Sequence, residues 1–278
     1  MICKRCGAKF SDGIFCPECG SRIVSVSVFG GEEQTNTWEN ALQYSDEDGY
    51  NTKMYGPQGQ LGELSITAPL EINAAGQRCF ENKKLILKNK IRVGDNAKLE
   101  FRNCEIITEE SNKSIILGVN VNVIFEGCVM KTKKSQMLEW WSTNGNAIKF
   151  LNCAFVDGSY SYLSFRGDGS SVYFDNCFFK VNSIAQLRCL AEVEFRSCVI
   201  VNDENGSGLI TVRDKATPIL IFENCFIKSN TRLIRNMASN NRKIELRIRN
   251  SYIDNYSGIY WSVADQTNTG SGILNFFQ

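Results

Sequence analysis

Histidine is missing altogether from the 278 residues, and with it goes the side chain most often used as a general acid or base near neutral pH. An excess of charge is missing too: 31 Lys and Arg stand against 30 Asp and Glu, so nothing in the balance calls for nucleic acid or a membrane surface as partner. No apolar run approaches the length that crosses a bilayer, which excludes a transmembrane helix, and no basic leader is followed by an apolar stretch. The cytoplasm is therefore the expected compartment.

Cysteine, by contrast, is plentiful. Twelve would suit a secreted disulfide scaffold, but their placement is wrong for one. Four lie at the N-terminus, the last of them Cys19, and six recur in one place of a repeated pattern; Cys79 and Cys189 remain. In a reducing compartment the repeated ones are expected as free thiols, packed as small apolar side chains.

The repeated pattern organises the chain. Relatives of Val172-Tyr173-Phe174-Asp175-Asn176-Cys177-Phe178-Phe179 recur, roughly two dozen positions apart, from Leu99 to the C-terminus. Each has an aliphatic residue, then a large apolar one two places on, alternating as a strand does: Phe101, Phe125, Phe150, Phe174, Phe195, Phe222, Ile248 and Phe276. Two residues later stand Asn103, Gly127, Asn152, Asn176, Ser197, Asn224 and Asn250, and there the alternation changes phase. Asn and Gly tolerate the left-handed backbone of a one-residue corner. Cys104, Cys128, Cys153, Cys177, Cys198 and Cys225 follow, with Ser251 in the last place, and a second strand begins. A third lies upstream of each copy, as in Ile115 to Leu117 or Leu163 to Phe165.

Three short strands per two dozen residues predict a parallel β-helix. The pattern resembles the right-handed, pectate-lyase-like β-helix superfamily with its internal Asn ladder at one corner. That resemblance implies a mostly β fold: a right-handed, single-stranded parallel β-helix of about eight rungs over residues 72–278. It implies no single function, since the superfamily holds lyases, hydrolases, tailspikes and non-enzymes.

The N-terminus carries the strongest chemical signal. Cys3-Lys4-Arg5-Cys6-Gly7 and Cys16-Pro17-Glu18-Cys19-Gly20 are two Cys-x-x-Cys-Gly knuckles separated by nine residues. Such knuckles supply four thiolates to one tetrahedral zinc, and a unit this small depends on the metal to fold. Cys3, Cys6, Cys16 and Cys19 are the expected ligands of one structural zinc, in a stretch that resembles short bacterial zinc ribbons. With all four positions filled by Cys the metal has no open site for catalysis. The expected organisation is a ribbon over 1–29, a linker and N-terminal cap over 30–71, and the β-helix beyond. The cap would include a short helix around Trp38, Ala41 and Leu42, covering the open edge of the first rung.

Outward-facing residues bear on function. Arg92, Ile116, Glu139, Ser164, Gln186 and Thr211 project from the upstream strands and form no carboxylate cluster. Arg102, Glu126, Leu151, Asp175, Arg196, Glu223 and Arg249 read as a surface ladder of mixed charge. Val129, Ala154, Phe178, Val199, Phe226 and Tyr252 follow the cysteines, and alternation turns them outward. An apolar outer face is either covered by the chain's own residues 54–85 or a loop, or serves association; Val129, Phe178, Val199, Phe226 and Tyr252, with Trp141, are the candidate interaction surface.

The expected function is a non-catalytic interaction or scaffold protein, with a protein partner or self-association. No catalytic residue is assigned. The alternatives are a polysaccharide-binding or polysaccharide-cleaving β-helix and a filament assembled through β-helix ends.

Overall fold

Residues that alternate in polarity form strands, and strands that recur every two dozen residues bury themselves by stacking each on its predecessor. The computed structural model describes residues 55–108, 115–132, 137–140, 145–158, 162–166, 168–202, 208–214, 216–238, 244–255, 260–262 and 274–277. Twenty-seven strands there form three parallel sheets of nine. Sheet 1 begins at Gly62–Ile66, sheet 2 at Leu70–Ile72 and sheet 3 at Gln77–Glu81, and the chain visits them in that order on every rung. The fold is a parallel β-solenoid. Cys3, Cys6, Cys16 and Cys19, the helix expected near Trp38, and Trp141 lie outside the described residues.

Two details of the repeat differ from the sequence reading. Each sheet has nine strands rather than about eight, because the first copy departs from the pattern. Arg78 to Leu85 keeps Phe80 and Asn82 in their places but has Lys83 where later copies have Cys. The first strand accordingly starts at Gly62, ahead of the boundary expected at Ile72. The last copy is also set differently: Phe276 pairs with Leu246 rather than Ile248. A slip of two residues keeps every side chain on its own face, so hydrophobic alternation does not forbid it.

The core is built of columns. Phe80, Phe101, Phe125, Phe150, Phe174, Phe195 and Phe222 stack ring on ring, with centroids 4.7–5.3 Å apart. Phe155 and Phe179 form a shorter stack at 4.5 Å and meet Phe150 and Phe174 edge-on. Each such pair adds about 0.5–1.5 kcal/mol beyond the area it buries.

Cys104, Cys128, Cys153, Cys177, Cys198 and Cys225 form the next column, buried and unoxidised. Each thiol can donate to a backbone carbonyl of the strand before it or of the rung below, as Cys128 Sγ does to Glu126 at 3.3 Å or to Phe101 at 3.4 Å. Burial pushes the thiols of Cys128, Cys177, Cys198 and Cys225 well up, which keeps them protonated and able to donate.

The corners between sheets 3 and 1 follow the expected backbone. Asn82, Asn103, Asn152, Asn176, Ser197, Asn224 and Asn250 have φ between 47° and 57°, and Gly127 has 60°. Their amides join where neighbouring rungs both carry Asn, as when Asn176 Nδ2 donates to Asn152 Oδ1 at 2.8 Å, and Gly127 and Ser197 interrupt the ladder that the resemblance implies. The ladder is exposed rather than internal, because the left-handed residue turns its side chain away from the core while the following cysteine turns inward.

The charged residues of sheet 3 stand rung over rung as the sequence implies. Arg196 joins Glu223 on the next rung at 3.3 Å, but it also meets Glu194 on its own strand, as Arg102 meets Glu100 at 3.0 Å. Residues i and i+2 of one strand share a face, so pairing along the strand competes with pairing between rungs.

Candidate functional site

Among the described residues no three His, Cys, Asp or Glu side chains are grouped so that they could hold a metal. The apolar outer column of sheet 1 is in register from Val129 through Ala154, Phe178, Val199 and Phe226 to Tyr252. It is not an open surface. Val129, Phe178 and Phe226 are each 1% exposed and Val199 is 7% exposed, in one cluster with Val156, Val201 and Tyr55. Tyr55, itself buried, stacks on Phe178 with centroids 5.5 Å apart. Three residues on, Gln58 takes both functions of the Asn103 amide: its N–H donates to Oδ1 at 2.5 Å and its carbonyl accepts from Nδ2 at 2.8 Å. The segment leading into the first strand therefore lies on the solenoid's outer flank. Tyr252 is half-buried and stacks on Phe226 at 5.1 Å.

Sheet 2 has a polar outer face. Its centre runs Glu139, Ser164, Gln186, Thr211 and Arg235 in register, one residue per rung. Although these residues turn outward, Glu139 and Ser164 are 1% exposed and Thr211 is 4% exposed. Small side chains in the middle of the column lie below their longer neighbours and form a floor. Arg166, Arg188 and Arg213 each follow a strand triplet at the same place, two residues beyond Ser164, Gln186 and Thr211, and alternation puts them on the same face. The backbone holds this position alike on different rungs: the Arg188 N–H donates to Phe165 at 2.8 Å, as that of Gly118 donates to Val93.

Like charges on adjacent rungs repel, and the carboxylates nearby only partly offset this. Glu139 lies 3.9 Å from Arg166, and Asp214 lies 3.3 Å from Arg188. Desolvation, then the neighbouring Arg188, hold the Arg166 guanidinium below its ordinary pKa. Arg213 has no ion pair among the described residues, and the Nε groups of Arg188 and Arg213 are buried without a hydrogen-bond partner. On the floor, Ser164 and Thr211 are buried residues and Gln186 between them is half-buried.

The floor column is legible in the sequence, whereas the arginines escape a search aimed at carboxylates. Their signal is there all the same: Leu163-Ser164-Phe165-Arg166, Ala185-Gln186-Leu187-Arg188 and Ile210-Thr211-Val212-Arg213 repeat one pattern of apolar, polar, apolar, Arg. Chemically the face offers a row of hydrogen-bond donors with an excess of positive charge. No family model matches this chain, and neither a curated protein nor a solved structure is significantly similar to it.

Proposed function

We propose that the protein is a non-catalytic interaction scaffold, in which a rigid β-solenoid carries a structural zinc ribbon. The observation that supports this most is the docking of Tyr55 on Phe178. It fixes the segment entering the solenoid to the flank of the rod, close to the point from which a ribbon would be carried. Cys3, Cys6, Cys16 and Cys19 are the four zinc ligands of this reading. The partner is another protein or a second copy of the chain, and the compartment is the reducing cytoplasm, in keeping with the free thiol column.

The rival reading, binding or cleavage of polysaccharide, draws on the superfamily resemblance and on Glu139 and Asp214 on the outer face of sheet 2. Hydrolysis needs two carboxylates placed about a sugar. The deciding experiment incubates the full chain with acidic and neutral polysaccharides, with and without calcium. A scaffold releases neither unsaturated products nor reducing ends. Turnover that disappears in Glu139→Gln or Asp214→Asn would overturn the proposal.

A further inference from the structure

We propose that the outer face of sheet 2 is a binding site for a phosphate-class oxyanion, held by Arg188 and Arg213 over the floor of Ser164, Gln186 and Thr211. The inference is independent of the scaffold reading. It begins from a cost. Guanidiniums on neighbouring rungs, about 4.8 Å apart, repel one another, and nothing in the solenoid's folding requires Arg at that position. Gly94 and Gly118 hold the corresponding place on the early rungs, where an added Cβ would fall within 2.7 Å of the Ala74 N and 2.4 Å of an Asp95 carboxylate oxygen. Those early rungs have no room for a side chain at this place, so a rung forms without Arg there, and the three successive arginines need another explanation.

The second observation is a set of donors without acceptors. A donor shut away from water with no partner is costly, and native structures rarely tolerate one unless a ligand or water completes it. The Nε groups of Arg188 and Arg213 are two such donors on adjacent rungs. Beside them, Ser164 and Thr211 are almost wholly buried residues two rungs apart, with the Gln186 amide between them. All three floor side chains can donate, and the arginines can only donate. A donor-lined surface with surplus positive charge selects an anion.

Phosphate fits better than a monocarboxylate. A phosphate monoester carries about −1.5 to −2 charges and three acceptor oxygens, enough to meet guanidiniums from two adjacent rungs and a floor hydroxyl together. A carboxylate brings one charge and two oxygens. Arg166 faces Glu139 at 3.9 Å and the Arg188 Nη1 meets Asp214 at 3.3 Å, so the Arg188 Nε and Arg213, which has no ion pair among the described residues, form the centre of the site.

The test titrates the full chain with inorganic phosphate, pyrophosphate, acetate and citrate at constant ionic strength, following the thermal midpoint and binding heat. Phosphate and pyrophosphate should give saturable binding and acetate none. Arg188→Gln and Arg213→Gln should each weaken phosphate at least about tenfold, since a hydrogen bond to a charged group is worth about that much. Arg249→Gln, on sheet 3, should leave it unchanged. If an arginine variant does not fold, Thr211→Val serves instead, because it keeps the shape, removes the hydroxyl and should still weaken binding severalfold. No saturable response at tens of millimolar phosphate overturns the proposal, as does equal weakening by Arg249→Gln. Tighter binding of citrate than of phosphate overturns the assignment to phosphate.

Discussion

At the scale of single residues, the inward and outward faces of each strand carry very different weights. Phe174 is fully buried between Phe150 and Phe195, whereas its neighbour Asp175 faces outward. Phe174→Ala should cost about 3–5 kcal/mol and Asp175→Ala under about 1 kcal/mol. Denaturant melts that rank the two the other way would show that the faces are misassigned. The thiols make a second case. Burial, then the charge of Asp168, push the Cys189 thiol up to about 12 from 9.0. A thiol raised in the folded state stabilises it fully below the unfolded value, and the gain is lost as pH climbs toward the folded one. Stability should therefore fall between about pH 9 and 12, and Cys189→Ala should flatten that part of the profile.

At the scale of an element, the corner and the docked segment are the parts most open to test. Asn176 sits at φ 51°. Asn176→Ala should cost about 1–2 kcal/mol, because a Cβ without a local polar partner is poorly accommodated in the left-handed region, while Asn176→Gly should cost less. Equal losses would place the cost in the amide ladder instead of the backbone. The Tyr55 ring is a test of how firmly the entering segment is held. Tyr55→Ala should destabilise by about 1.5–3 kcal/mol and should open the peptide bonds between residues 55 and 61 to limited proteolysis before the solenoid melts. Global melting at an unchanged midpoint, with no earlier cleavage, would mean that the stack contributes nothing to holding that segment.

At the scale of the whole molecule, the sheets have ends. Gly62–Ile66 and Tyr252–Asn255 are the outermost strands of sheet 1, each paired on one side only among the described residues. Such edges invite strand addition unless something covers them. The scaffold reading adds one zinc per chain by elemental analysis of protein purified without chelators, lost in a Cys3→Ser, Cys6→Ser double variant. The solenoid's melting midpoint should be unaffected, because its columns of Phe, Cys and Asn are complete without the N-terminal thiols. Sedimentation of wild type and double variant would separate association through the ribbon from association through the solenoid ends.

How much is legible in the sequence depends on whether a feature repeats. The strand, corner, strand unit can be read from residues such as Phe174, Asn176 and Cys177 because a stack forces the same side chain to meet the same neighbour on every rung, so the geometry is written many times over. The first rung escapes that reading because Lys83 breaks the pattern at one position, and the last is displaced because a two-residue slip preserves alternation. The sequence reading names residues 54–85 or a loop as the cover of the outer column of sheet 1, but only the structure shows that Tyr55 is the residue that meets Phe178, because a contact from a distant part of the chain has no periodic signature. The arginine column shows the same division. Its period is in the sequence, but only the paired register of sheet 2 places Arg188 and Arg213 on adjacent rungs with their Nε groups shut away without a hydrogen-bond partner, and it is that desolvation, not the presence of arginine, that turns a charged surface into a site.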